Sequence, residues 1–220
     1  MKKGFVGLLA VSFVIGLSGP SLAQDAAKPA AMSPQEILQK YHIGPYAGVS
    51  GGLSSVDTGI ENTTGSASVD EDDIGFKVFG GYQFTNYLAA EAHYARLGTA
   101  TLSGNTGDTF DYKGTTYQFT ADAKVDVDGS SIGVAGVAGI PVTTYLYPYL
   151  KGGIHRWSQE TSAASSAGNA SFDDSGVGAF YGLGARLRLT GGFSVRAEFE
   201  RFKMDEDAVD FISVGGQLKF

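Results

Sequence analysis

From Gly44 to Phe220 the chain alternates between apolar and polar residues with a period of two. In SVRAEFERF, Ser194 to Phe202, the residues Val195, Ala197 and Phe199 fall on one side of an extended chain. Arg196, Glu198 and Glu200 fall on the other. The alternation predicts eight strands, at roughly 45–54, 74–84, 87–97, 131–141, 145–157, 176–189, 193–203 and 210–220. Phe76, Val78, Gly80, Tyr82 and Phe84 oppose Lys77, Phe79, Gly81 and Gln83. Leu88, Ala90, Ala92 and Tyr94 oppose Ala89, Glu91 and His93. Leu183, Ala185, Leu187 and Leu189 oppose Gly182, Gly184, Arg186 and Arg188. Ile212, Val214, Gly216, Leu218 and Phe220 oppose Ser213, Gly215, Gln217 and Lys219. The first and fourth strands are too rich in glycine and alanine to be assigned faces in this way.

Alternation alone does not say which face meets solvent. A soluble sandwich buries the apolar face, whereas a membrane barrel turns it toward lipid and holds charge inside. The connections separate the two. Those after the second, fourth and sixth strands are the tight turns Thr85-Asn86, Val142-Thr143-Thr144 and Thr190-Gly191-Gly192, while 55–73, about 98–130 and 158–175 are long and polar. The last connection, 204–209, is short and acidic. Short turns at one end and long loops at the other match an outer-membrane barrel, with the turns in the periplasm. In the second long loop, TTYQFTADAKVDVD from Thr115 to Asp128 alternates again. It predicts a strand extension or hairpin above the membrane, or a fourth strand starting near residue 116 with a break at Gly129. Aromatic residues near the turns, Tyr82, Phe84, Tyr145, Tyr147, Phe193 and Phe220, fit an interfacial girdle.

Composition sharpens this picture. There are 32 glycines, 12% aromatic residues and only 18% charged residues, as expected of a glycine-punctuated sheet protein. Cysteine is absent, which excludes disulfides, thiolate metal sites and cysteine nucleophiles. Lys2 and Lys3, the apolar run from Phe5 to Leu17 and the small-residue stretch Ser21-Leu22-Ala23 predict a signal peptide over 1–23. Its removal leaves 14 basic against 23 acidic residues, a net charge of −9, which disfavours nucleic acid as a partner. Residues 24–43 form an Ala/Pro-rich periplasmic spacer, in which Ser33-Pro34-Gln35-Glu36 predicts a short helix to about Lys40. The barrel domain is expected over 44–220.

Gathered by strand, the polar faces hold Lys77, Arg186, Arg188 and Arg196 against Glu91, Glu198 and Glu200, with Lys151 joining them. Glycines beside long ionic side chains suit a narrow interior. Catalysis needs a nucleophile, a base and an orienting group on one face. The histidines are His42, His93 and His155, and His155 and Ser158 fall on opposite faces of a strand, so no catalytic set is read here. The acidic runs Asp70-Glu71-Asp72-Asp73 and Asp205-Glu206-Asp207 match no calcium-loop spacing and read as solvated surface. No metal or cofactor is expected.

FGGYQFTNYLAAEAHYARLG, Phe79 to Gly98, resembles the second hairpin of the outer membrane protein A (OmpA)-like transmembrane barrels. Leu189 to Phe199 resembles the sixth turn and seventh strand of that family, and Gly44-Pro-Tyr-Ala-Gly-Val its first strand. The ending from Val214 is similar to the C-terminal signal read by the barrel assembly machinery, with Gly216, Leu218 and Phe220 as its carriers. The resemblance implies an all-β, eight-stranded antiparallel up-and-down barrel in the outer membrane of a Gram-negative bacterium, monomeric and surrounded by outer-membrane lipid. It also implies a charged interior in which Glu91 faces Arg196. Arg186 stands where the family carries an inward acid, so a different pairing is expected, through Glu198 or Glu200. With the sequence ending at Phe220, the peptidoglycan-binding domain of the family's longer members is not expected. The expected role is membrane integrity and surface display, with loops available to host-cell or phage ligands. A small porin-like channel, a lipid-modifying enzyme and a soluble lipocalin-like carrier are the alternatives.

Overall fold

The computed structural model describes residues 43–57, 59–112, 114–165, 168–189, 191–205 and 207–220. The expected signal peptide, the short helix in the spacer and His42 lie outside them. Eight long strands make up the barrel: β1 (Gly44–Asp57), β2 (Asp72–Gln83), β3 (Leu88–Gly104), β4 (Ala123–Gly139), β5 (Leu146–Ser165), β6 (Gly168–Arg188), β7 (Phe193–Met204) and β8 (Asp207–Lys219). Each pairs antiparallel with its sequence neighbours, and β8 pairs with β1 to close the sheet. Closure leaves no edge through the membrane-spanning part, so every backbone donor and acceptor there has a ladder partner. The alternation is therefore that of a transmembrane barrel and not of a sandwich.

Outward positions are apolar for about ten residues of each strand, the length a strand tilted at about 45° needs to cross the hydrocarbon layer. On β2 the outward set includes Ile74, Phe76, Val78 and Tyr82. On β5 it includes Leu150 and Ile154, on β6 Leu183 and Leu187, and on β8 Ile212, Val214 and Leu218; all of these are exposed. Above this band the outward faces turn polar, at Arg96, Ser130, Arg156 and Ser158. The first and fourth strands, unassigned from sequence, resolve the same way. Tyr46, Ser50 and Ser54 point inward on β1, and Ser131, Ala135 and Val137 on β4. In the expected girdle Phe84, Tyr145 and Phe220 are exposed at the turn end, but Tyr147 is not part of it. Its side chain points inward at 2% exposure.

The wall is of unequal height. Pairing of β3 with β4, β4 with β5 and β5 with β6 continues up to Gly104↔Ala123, Ala123↔Ser165 and Ser165↔Gly168. On the other side it stops at Ser55↔Asp72 and Met204↔Asp207. The β5 strand has 20 residues, which at about 3.3 Å per residue is twice what the membrane requires. The stretch 158–175, expected as a loop, is mostly the top of this β5–β6 hairpin. The β4 strand starts at Ala123 and runs through Gly129 without a break, while Thr109–Tyr112 and Thr115–Gln118 form a separate hairpin above it. A register shift between Arg96 and Thr99 in β3 brings Gly98 to a φ of +77°, where a Cβ would lie 2.7 Å from Asp73 Cβ. Only glycine fits that bulge comfortably.

Candidate functional site

Three inward layers fill the barrel. Toward the turns, Tyr46, Phe79, Ala89, Val137, Tyr147 and Tyr149 pack together. Toward the loops, Trp157, Phe180, Phe202, Met204, Val209 and Phe211 form a second apolar cluster with Ala95, Leu97 and Ala135. Between them lies a layer of charge: Lys77 from β2, Glu91 from β3, Lys151 from β5, and Arg196, Glu198 and Glu200 from β7, each at most 4% exposed.

The β7 strand presents Arg196, Glu198 and Glu200 on one face because its alternation is strict. The other strands reach across the lumen to them. Lys77 Nζ is 2.7 Å from Glu198 Oε2 and also contacts Glu200 Oε2. Lys151 Nζ lies 3.3 Å from Glu91 Oε1, 2.8 Å from Glu198 Oε1 and 2.6 Å from Glu200 Oε1. The Arg196 guanidinium spans Glu91 Oε2 at 2.7 Å and Glu198 Oε1 at 2.6 Å, the forked geometry that suits arginine to paired carboxylates. Tyr46 donates to Glu91 Oε2 at 3.1 Å and Tyr149 to Glu198 Oε1 at 2.8 Å. Arg196 also lies 4.0 Å over the ring of Phe79. Three cations meet three anions, so the layer is neutral.

Small residues make room for it. Gly182 pairs in register with both Lys151 and Glu200, and a Cβ there would come within 3.0 Å of Glu200 Cγ and 2.5 Å of Phe199 O. What remains open around Tyr46, Glu91, Tyr149, Arg186 and Arg196 is a void of about 10 Å³, no more than one water needs.

Two of the eight charged residues singled out from sequence stand apart from the layer. Arg186 faces inward, but the pairing expected with Glu198 or Glu200 is not made, because Arg196 and both lysines occupy those carboxylates. Instead Arg186 lies 4.5 Å over the ring of Tyr147 and donates weakly to Gln83 Oε1 at 3.5 Å. Arg188 sits at the turn end, where Nη1 donates to the Thr144 carbonyl at 3.1 Å. At the chain end, Gly216 faces outward against the ring of Phe193, and Leu218 and Phe220 are exposed on the lipid side.

A third arrangement was not legible. His93, Ser131 and His155 come together on β3, β4 and β5, with Ser131 Oγ 2.9 Å from His155 Nδ1 and 3.3 Å from His93 Nε2. His155 Nε2 lies 3.0 Å from the Lys203 carbonyl, so it carries the proton and donates, and Nδ1 accepts from Ser131. Both imidazoles pack edge-on against Phe180 and Phe202. Ser131 lies on the strand whose faces the alternation left open, which is why the sequence did not show it. A serine beside an oriented histidine has the connectivity of an activated nucleophile. Here Ser131 is 1% exposed, shut off from solvent beside the aromatic layer.

A profile of the "Outer membrane protein beta-barrel domain" family matches residues 13–220. No curated protein matches the chain by sequence. Among solved structures it is similar to the outer membrane protein OprG of Pseudomonas aeruginosa, at 13% identity and a TM-score of 0.51 over 83% of this chain and 99% of that one. It is also similar to Ail, the attachment invasion locus protein of Yersinia pestis, at 17% identity and a TM-score of 0.50 over 81% of this chain and 99% of that one. At these identities the two share its fold. A closed antiparallel barrel, lipid-facing apolar strands and a family match over nearly the whole chain agree: this protein is a member of the outer membrane protein β-barrel domain family, located in the bacterial outer membrane.

Proposed function

We propose that the protein is a closed, non-catalytic barrel that contributes to outer-membrane integrity and holds a tall four-stranded wall, β3 to β6, outside the cell as a display surface. The observation that carries this reading is the neutral charge layer capped by apolar clusters on both sides. Breaking a buried ion pair by removing one partner costs about 3–5 kcal/mol, so a path for ions through three interlocked pairs is expensive to open. The narrowness of an eight-stranded barrel supports the same reading. Glu91 and Arg196 are the central pair, Lys77, Lys151, Glu198 and Glu200 complete the plug, and Arg186 and Arg188 belong to the turn-side mouth. Gly216, Leu218 and Phe220 serve as the segment the assembly machinery reads. The Ser131 cluster is a structural hydrogen-bonded layer. Host-cell or phage ligands would meet the wall and the Thr109–Gln118 hairpin, where the rings of Tyr112 and Tyr117 are exposed.

A deletion strain tests this. Sensitivity to detergent and to bulky antibiotics should rise, and should return to normal with the wild-type gene and with a version lacking the outer hairpin. Unchanged sensitivity in the deletion strain would remove the integrity role. Cleavage within 158–175 by protease added to intact cells supports the display role, and full resistance at that segment contradicts it.

A further inference from the structure

The lipid-facing surface of β3 to β6 is not even. Toward the turns it sinks into a groove of about 600 Å³, within the range of ligand-binding clefts. Ala138 on β4 and Pro148 on β5 form its floor. Leu88 and Ile140 stand on one side, and Leu150 and Leu183 on the other, all four more than half exposed. The ladder sets Ala138 between Leu88 and Leu150, and Leu150 beside Leu183. Two residues nearer mid-membrane, Gly136 also faces outward, with nothing within 4 Å of where a Cβ would lie. The low path from Pro148 through Ala138 to Gly136 is therefore about 14 Å long by strand geometry. Proline is unusual in a strand paired on both sides, because it gives no N–H to the ladder. Here the Pro148 carbonyl accepts from the Ile140 amide at 3.1 Å, and its ring is flat where a branched side chain would fill the groove. Among the described residues that line the groove none is charged, and Tyr87 stands exposed at its turn end.

We propose that this groove holds one acyl chain of an inner-leaflet phospholipid, kept by the barrel while the lipid around it exchanges. The groove opens within the apolar band on its periplasmic side, where acyl chains are the molecules at hand. Its path climbs from the turns toward the middle of the membrane, the course an acyl chain takes from its headgroup. The leucines and Ile140 hold the convex face of a second barrel off the floor, whereas a single chain reaches Ala138 and Pro148 and gains dispersion contact on three sides. The Tyr87 hydroxyl supplies a donor at headgroup level for an ester or phosphate oxygen of the same lipid.

The experiment uses the full barrel in nanodiscs of phosphatidylcholine and phosphatidylethanolamine, with folding of every variant checked by its gel mobility before boiling. The barrel is released into mild detergent and weighed by native mass spectrometry, which counts the phospholipid it keeps. In parallel discs, a phosphatidylcholine with a diazirine in mid-chain is photolysed and its adducts are located by peptide mass. Wild type should keep one phospholipid, with adducts concentrated in the segment 136–150. Ala138→Trp fills the floor and should lower the retained lipid at least fivefold. Leu150→Ala removes part of one side and should lower it as well. Ala47→Trp, at an outward alanine near the turn end of β1, should leave retention and adducts unchanged. A wild-type barrel that keeps no lipid, or an Ala138→Trp barrel that keeps as much as wild type, overturns the proposal. Barrels that leave the discs as pairs, separated by Ala138→Trp, overturn it too, because a second copy then covers the groove.

Discussion

Replacing Glu91 by glutamine keeps the size of the side chain and one acceptor oxygen while removing a single charge. The carboxylate receives Arg196 at 2.7 Å, Lys151 at 3.3 Å and the Tyr46 hydroxyl at 3.1 Å, all within the buried layer. At an effective dielectric of about 20, a charge pair about 3 Å apart interacts by roughly 5–6 kcal/mol before desolvation is set against it. The variant leaves three cations facing two anions, and the stranded positive charge remains out of water. The expected loss is about 3–5 kcal/mol, the range for removing one partner from a buried pair. A second change restores neutrality: Glu91→Gln with Lys151→Met should regain about 2 kcal/mol relative to the sum of the single changes. Urea unfolding from lipid vesicles measures this. The fluorescence of Trp157 provides the signal, since it is the only tryptophan and is 4% exposed in the loop-side cluster. If Glu91→Gln unfolds within about 0.5 kcal/mol of wild type, the layer is wet or flexible, and the reasoning from buried charge fails.

Other consequences can be checked separately. Val214 is exposed on the lipid face of β8 between Ala197 and Gly51, so Val214→Arg should cost about 2–4 kcal/mol and lower the yield in the outer membrane. Wild-type yield would contradict the outward assignment of that face. Phe202 is fully buried and stacked on Phe180 at 5.3 Å between ring centroids, so Phe202→Ala should destabilise by about 3–5 kcal/mol in the same urea assay. Above the membrane, Asp108 is held below the usual carboxylate range by the Asn105 amide and the Ser66 hydroxyl, and Asp122 by the Thr106 amide and hydroxyl. Lowered values in the folded state mean that this order is present above the ordinary aspartate value of about 3.9 and is lost as pH falls below it. An acid-active protease should therefore cleave the Asn105–Asp122 hairpin region faster at pH 3 than at pH 5, and equal rates would contradict it.

Much of the architecture was legible because lipid and a packed lumen impose opposite demands on successive residues. Val195, Ala197 and Phe199 against Arg196, Glu198 and Glu200 is a direct imprint of that demand, and the same holds for β2, β3, β6 and β8. The heights of the strands were not legible. Between Ser158 and Ser175 the inward face of the β5–β6 hairpin is no longer buried, so its alternation carries no apolar signal and the segment reads as a loop. The inward direction of Arg186 was legible but its partner was not, since pairing depends on which side chains reach across the lumen. Arg196 and the lysines reach the carboxylates first. Tyr147 fits a girdle by composition, yet the parity of β5 turns it inward beside Lys151. Ser131 sits on a strand of small residues, where neither face stands out until β3 and β5 bring His93 and His155 beside it.

Planar-bilayer recording of the purified wild-type protein reads out whether the neutral charge layer closes the barrel. A silent bilayer is expected, with no discrete openings across the usual voltage range at neutral pH. Reproducible single-channel events from the wild-type barrel, abolished by Glu91→Ala or Arg196→Ala, would show that the layer opens, and would contradict it.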